Sequence, residues 1–242
     1  MRGDLKEADA LGIEFSGCFR QSNDSNIPAS RAAQACCIAI ETGDVAGILP
    51  ITKSFVESRP AAKSWAAGRG LILLRAGELK GARETLGSFE ERSLLALTRE
   101  PTASAAIPFL SEIAVAVGSD SQVSRLYELC SKYRDRRATL GFGVTYFGSY
   151  ARYASRLASR LGQPTEALEH IEVAIRADGA SDAALWHAYA EIDRIELTGL
   201  NSDPKEPLER ILRFASKQGL SSLHEAASRN LPVQEGAGVA VL

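Results

Sequence analysis

The sequence predicts an all-α fold, a right-handed α-solenoid of antiparallel helical hairpins with about twelve helices. Three observations point there. Alanine and leucine dominate while aromatic residues make up only 7%, so helix formers outweigh the aromatic and β-branched residues that strands prefer. Apolar residues recur at three- and four-residue spacing along the chain, and no five-residue window alternates as a half-buried strand would. Short turns centred on glycine recur at regular intervals.

Those turns are Glu41-Thr-Gly43-Asp44, Arg75-Ala-Gly77-Glu78, Ala116-Val-Gly118-Ser119, Arg160-Leu-Gly162-Gln163 and Leu197-Thr-Gly199-Leu200, with glycines 34, 41, 44 and 37 residues apart. Each glycine closes an apolar-periodic segment, as expected where the residue after a helix must turn left-handed, a conformation that glycine enters without a Cβ penalty. A helix restarts within a few residues of Gly77 and Gly162, and more loosely after Gly43. Helix, tight turn and helix make one hairpin, and stacked hairpins tolerate variable loops between them.

Taken in order, Asn26-Ile-Pro28, Arg59-Pro60, Glu100-Pro101 and Asp203-Pro204 are expected loops, while Pro50 and Pro108 start or kink helices. Stripes follow at Ile107, Leu110, Ile113, Ala114 and Val117, then at Val123, Leu126, Tyr127 and Cys130. After Gly148 the next stripe is Tyr150, Ala154, Leu157, Ala158 and Leu161, with Arg152, Arg156 and Arg160 on another face. Its hairpin partner turns Ala167, Leu168, Ile171, Ala174 and Ile175 inward and Glu166, Glu169 and Glu172 outward, with Pro164 in the first helical turn. A further stripe runs through Leu185, Ala188, Tyr189, Ile192 and Ile195. The period is lost after Asn230, so residues 1–231 are expected to form the helical domain and 232–242 a flexible tail.

One stretch is more distinctive. Leu126-Tyr-Glu-Leu129 and Tyr133 precede Gly141-Phe-Gly-Val144, Phe147-Gly-Ser149, Ala151-Arg-Tyr153 and Leu161-Gly162, followed by Glu166-Ala167 and a helix over Glu169 to Ile175. With the hairpin period, residues from about Ala76 to Ala190 resemble the C-terminal tetratricopeptide-like region of large bacterial signal-transduction ATPases and LuxR-type regulators. The resemblance implies a module that receives a protein or small-molecule signal. The chain has no GxxxxGK[ST] phosphate loop and no segment that reads as a helix-turn-helix, so the ATPase and DNA-binding parts of such regulators are not expected in it.

The bulk numbers narrow the classes further. A formal charge of −2 and a pI near 6.0 give no global field for a nucleic-acid backbone. The apolar run Gly70 to Leu74 is too short for a bilayer, and no signal-peptide pattern opens the chain. A cytoplasmic location is expected. Cys18, Cys36, Cys37 and Cys130 form no CxxC pair and read as reduced, packed thiols. His170, His187 and His224 sit in no metal-ligand spacing, so neither a metal nor a cofactor is expected. Gly141, Gly143 and Gly148 follow no strand and read as a bend between hairpins rather than a nucleotide loop.

Two clusters carry the functional expectation. Arg152, Arg156 and Arg160 form a basic stripe that either pairs with Glu166, Glu169 and Glu172 or, with Tyr146, Tyr150 and Tyr153 nearby, grips an anionic ligand. In the ligand reading the stripe is exposed, and losing Arg152 and Arg156 weakens binding with little loss of stability. The second cluster is Trp186, His187, Tyr189 and Glu191, in which Glu191 lies one helical turn from His187 and either orients it or shares a solvated face with it. The expected ligand-binding set is therefore Tyr146, Tyr150, Arg152, Tyr153, Arg156, Trp186, His187, Tyr189 and Glu191. The function expected is a binding module for a protein, a peptide or a small effector. Two alternatives are a small-molecule enzyme using His187, Glu191 and Asp193, and a homodimeric scaffold joined through exposed solenoid ends.

Overall fold

The structure, a computed structural model, describes residues 3–19, 24, 26–98, 100, 102–140, 145–199 and 204–231. Among these lie thirteen α-helices and one two-stranded hairpin. The first six helices are α1 (Leu5–Cys18), α2 (Asn26–Thr42), α3 (Leu49–Ser58), α4 (Lys63–Arg75), α5 (Leu79–Gly87) and α6 (Glu91–Leu97). Next come α7 (Ala103–Val117), α8 (Asp120–Lys132), strands β1 (Arg137–Leu140) and β2 (Thr145–Ser149), and α9 (Tyr150–Arg160). The chain continues through α10 (Pro164–Ala180), α11 (Ala184–Thr198), α12 (Lys205–Gln218) and α13 (Ser221–Arg229). The all-α class holds; the expected tail at 232–242 and the glycine bend at 141–144 lie outside the described residues.

Four of the five marked glycines take the left-handed turn, with φ of +81° at Gly43, +80° at Gly77, +72° at Gly162 and +62° at Gly199. Gly118 does not. It is extended, at φ −78° and ψ 155°, because α8 begins at once through a capping box in which Ser119 and Gln122 satisfy each other's backbone N–H. Glycine is required there for space, since a Cβ would meet the Ala114 carbonyl oxygen at 2.7 Å. Pro28 also departs from expectation, lying in the first turn of α2 rather than in a loop, where its missing N–H costs nothing.

The five helices that end at these turns, α2, α4, α7, α9 and α11, form an inner row in which each packs on the next. The row returns on itself, since α11 packs on α13 and α13 on α2. The Ser222 hydroxyl donates to the Ile40 carbonyl at 2.5 Å, joining residues 182 positions apart. Helix α9 is buried on nearly every side. Small residues make this possible: Ala151 meets Ile171 and Ala190 while Ala154 and Leu157 belong to the core of α4 to α8. At the other end of the chain, α1 leaves Leu11, Ile13 and Phe15 more than half exposed.

The hairpin of β1 and β2 was not expected. Its register pairs Thr139 with Tyr146 and Leu140 with Thr145, with an irregularity between Arg137 and Thr139. Four of the five β2 residues are buried, on both faces, so polar and apolar positions do not alternate and the period that betrays a half-buried strand is missing.

Gly162 offers a direct test of the turn register. Nothing lies within 4 Å of a Cβ placed there, so the cost of Gly162→Val is conformational alone, about 1–3 kcal/mol for a side chain forced left-handed. Urea denaturation should show that loss, and an unchanged midpoint would mean that α9 does not end at this turn.

Candidate functional site

The inner row surrounds a cavity of about 310 Å³. Each of its five helices contributes a side chain: Glu41 from α2, Arg75 from α4, Glu112 from α7, Arg152 from α9 and Tyr189 from α11. Strand β2 adds Thr145, Tyr146 and Phe147, and the segment Gly3 to Leu5 with Ala8 closes one side. That segment is held in place. Asp4 caps α1 by accepting from the Glu7 N–H at 3.0 Å, and Gln34 donates to the Ala8 carbonyl at 2.8 Å.

The electrostatics are dominated by shared ion pairs. The Arg152 Nε lies 2.6 Å from Asp193 Oδ2 and its Nη1 3.5 Å from Glu112 Oε1. Arg156 reaches the same two carboxylates, at 2.7 Å to Asp193 and 3.4 Å to Glu112. Arg75 contacts Glu112 at 3.7 Å. Burial alone would push the Glu112 carboxyl up, yet Arg156, Arg152 and Arg75 together hold it down at about 2, so it is ionised at neutral pH. The Arg152 guanidinium also rests over the Tyr189 ring, 5.0 Å from its centroid, with Tyr153 and Trp186 within 6 Å.

Glu41 behaves oppositely. Only 7% exposed, it is pushed above the ordinary carboxyl range by burial, although Tyr189 donates to Oε2 at 2.7 Å and Arg75 and Arg152 oppose the shift. Beside it the Cys37 thiol is pushed far up by burial, which keeps it protonated and a poor nucleophile or metal ligand. No group of three or more His, Cys, Asp or Glu side chains is placed to hold a metal among the described residues.

The expected ligand set divides. Tyr146, Arg152, Tyr153, Trp186 and Tyr189 meet on the cavity wall. Tyr150 instead turns its hydroxyl to the Ser104 carbonyl at 3.1 Å. Arg156 lines a separate, smaller cavity of about 130 Å³ with Ser155 and Asp193. His187 sits outside the central cavity with Nδ1 3.1 Å from the Ile175 carbonyl oxygen and Nε2 3.8 Å from Glu191, whose carboxylate accepts two hydrogen bonds from Arg210 at 2.6 and 2.9 Å.

Of the arginine stripe, Arg160 is exposed, but Arg152 and Arg156 are not. Arg152 is 5% exposed, and the partners of the stripe are Glu112 and Asp193, with Asp120 for Arg160, rather than Glu166, Glu169 or Glu172. The reason is that α9 lies between α7 and α10 and beneath α11, so its polar side meets carboxylates from its inner-row neighbours. Glu172 pairs with Arg194 instead.

Sequence reasoning missed Glu41, Arg75 and Glu112. A signal existed for the first two, since Glu41-Thr-Gly43 and Arg75-Ala-Gly77 place both two residues before the turn glycine in successive repeats. No protein-family model, curated protein or solved structure matches the chain.

Two outcomes follow from the buried charges. Arg152→Ala strips Asp193 and Glu112 of a partner where water cannot replace it, and should cost about 3–5 kcal/mol in urea denaturation; a loss under about 1 kcal/mol would place the arginine in solvent. Glu41→Gln keeps an oxygen for Tyr189 and removes a carboxyl whose ionisation the fold opposes. A raised carboxyl weakens the fold as pH climbs through and above its ordinary value of 4.5, so the variant should melt higher than the parent at alkaline pH and converge with it in acid. Equal melting temperatures at both pH values would mean that Glu41 ionises in the fold as freely as in water.

Proposed function

We propose that the chain is a tetratricopeptide-like binding module whose ligand is a small effector held in the central cavity. The observation that carries this reading is the closure of the inner row, which makes its inner face a partly open chamber of about 310 Å³. That is the size of a small-molecule site. An extended peptide would need an open groove, and here the contact of α13 with α2 and the segment Gly3 to Leu5 stand across that path. The wall suits the same purpose, with a run of aromatic rings from Phe109 through Phe147 and Trp186 to Tyr189 and a few convergent polar groups.

The likeness to the repeat region of signal-transduction regulators fits a sensing role, in which the occupied chamber would fix the contact between α2 and α13. A cytoplasmic setting agrees with free cysteines at positions 18, 36, 37 and 130. No described helix is long and apolar enough to cross a membrane. Catalysis finds less support, since His187 and Glu191 lie outside the chamber and Glu191 is held by Arg210.

Native mass spectrometry of the purified chain, with extraction of whatever it carries, tests the reading. A one-to-one small-molecule adduct is expected, absent from an Ile38→Trp variant that fills the chamber while keeping its helicity. An adduct that persists in that variant places the ligand elsewhere. No adduct, together with no thermal shift from any compound of a metabolite panel, would sink the proposal.

A further inference from the structure

The chamber has a chemical preference that its unequal charges define. Three guanidinium groups, Arg75, Arg152 and Arg156, share two carboxylate partners, Glu112 and Asp193. Arg152 and Arg156 divide both carboxylates between them at the shorter distances, both meeting Glu112 through Oε1, and Arg75 is left with a single contact of 3.7 Å to Glu112 Oε2. Its side chain is 37% exposed and lines the chamber. The remaining carboxyl, Glu41, makes no ion pair with Arg75; its one hydrogen-bond partner among the described residues is Tyr189. The Thr145 hydroxyl lies buried on the same wall beside the Cys37 thiol and has no other hydrogen-bond partner among the described residues.

We infer that the chamber binds a small organic carboxylate, its head group on the Arg75 guanidinium with Glu41 and Thr145 beside it, and its apolar body against Leu71, Phe109, Phe147 and Trp186. The inference rests on the small-effector reading above. The chemistry follows from what each group can give. Arg75 presents a planar fork that matches a carboxylate in two places, and a bound anion would supply the counter-charge that Glu112 cannot give to three arginines at once. Glu41, disfavoured as an anion where it lies, can donate a hydrogen bond from its protonated oxygen, and Thr145 can donate another. A cationic ligand would instead meet Arg75 and Arg152, with Glu112 already engaged by both and Asp4 occupied in capping α1. An apolar body suits the part of the wall formed by Leu71, Phe109, Phe147 and Trp186, where the Phe109 and Phe147 rings meet edge to face at 4.7 Å.

Calorimetry on the full chain with matched probe pairs tests this: indole-3-acetate against indole-3-acetamide, and octanoate against octanamide. Each acid should bind about tenfold or more tightly than its neutral amide, and Arg75→Gln should bring the acid down to the level of the amide. Arg75→Lys, which keeps the charge but not the fork, should fall between the two, and guards against a glutamine variant that fails to fold. Amides that bind as tightly as acids, or acids indifferent to Arg75→Gln, would overturn the carboxylate inference and leave the chamber reading standing. The carboxylate inference falls in the same way if no acid binds while the purified chain carries a neutral small molecule that Ile38→Trp expels. If no probe binds and the chain carries nothing, both readings fall.

Discussion

Arg152 and the carboxylates around it tie the inner helices together, and much of the rest of the fold is arranged to keep them dry. A guanidinium taken out of water costs several kcal/mol unless its partners are close and well aimed. Here one partner, Glu112, comes from α7 and the other, Asp193, from α11, so the charge on α9 is satisfied only when three helices are in place at once. Arg156 repeats the arrangement one turn later, and Arg75 extends it to α4. Such a network contributes modestly to net stability, because burying it consumes most of what pairing returns. It discriminates strongly between packings, since any slippage of one helix strands a charge.

The chamber is the other face of the same constraint. Long polar side chains that point inward from five helices prevent the row from collapsing into a solid core, while the aromatic rings fill the space between them. Arg152 joins the two sets by resting over Tyr189, Tyr153 and Trp186. Tyr189 then reaches across to Glu41 on α2, 148 residues earlier in the chain. That hydrogen bond and the Ser222 contact with Ile40 close the ring where a stack of hairpins would otherwise stay open. Closure adds a loop-entropy cost that grows only slowly with length, so a few well-placed contacts between the ends can sustain it.

Much of this was legible in the sequence, and the parts that were not share a physical cause. Helices were readable because their apolar period is local, and the turns at Gly43, Gly77, Gly162 and Gly199 were readable because left-handed backbone selects glycine wherever it occurs. The turn before α11 went unseen because Asp182 adopts φ +51° without being glycine, and the turn at Gly219 fell outside the spacing of the others. Strand β2 was hidden by burial on both faces. For the site, the residue types at Arg152, Tyr153, Trp186 and Tyr189 stood out, but the stripe of arginines looked solvent-facing because an amphipathic period cannot distinguish water from a neighbouring helix that carries carboxylates. Which carboxylates those are depends on tertiary packing: Glu112 lies 40 residues from Arg152 and Asp193 lies 41 residues beyond it, while the sequence-near Glu166, Glu169 and Glu172 belong to the helix on the other side.

That distinction bears on how the chamber could signal. Helices α2 and α13 meet where the ring closes, and the groups that join α2 to the inner wall, Glu41 and Tyr189, line the cavity itself. The proposed ligand, filling the space between Arg75 and Glu41, would bear directly on the contact that closes the ring, whereas Arg152 and Arg156 are each held by Asp193, which lies off the chamber wall. In this reading α9 and α11, joined by those buried pairs, would be the fixed part and α2 with α13 the part that responds to the ligand. A ligand can shift such an equilibrium only by its difference in affinity for the two positions. A charge left partly satisfied at Arg75 would supply that difference, because an anion held there would be gripped fully only with Glu41 of α2 alongside.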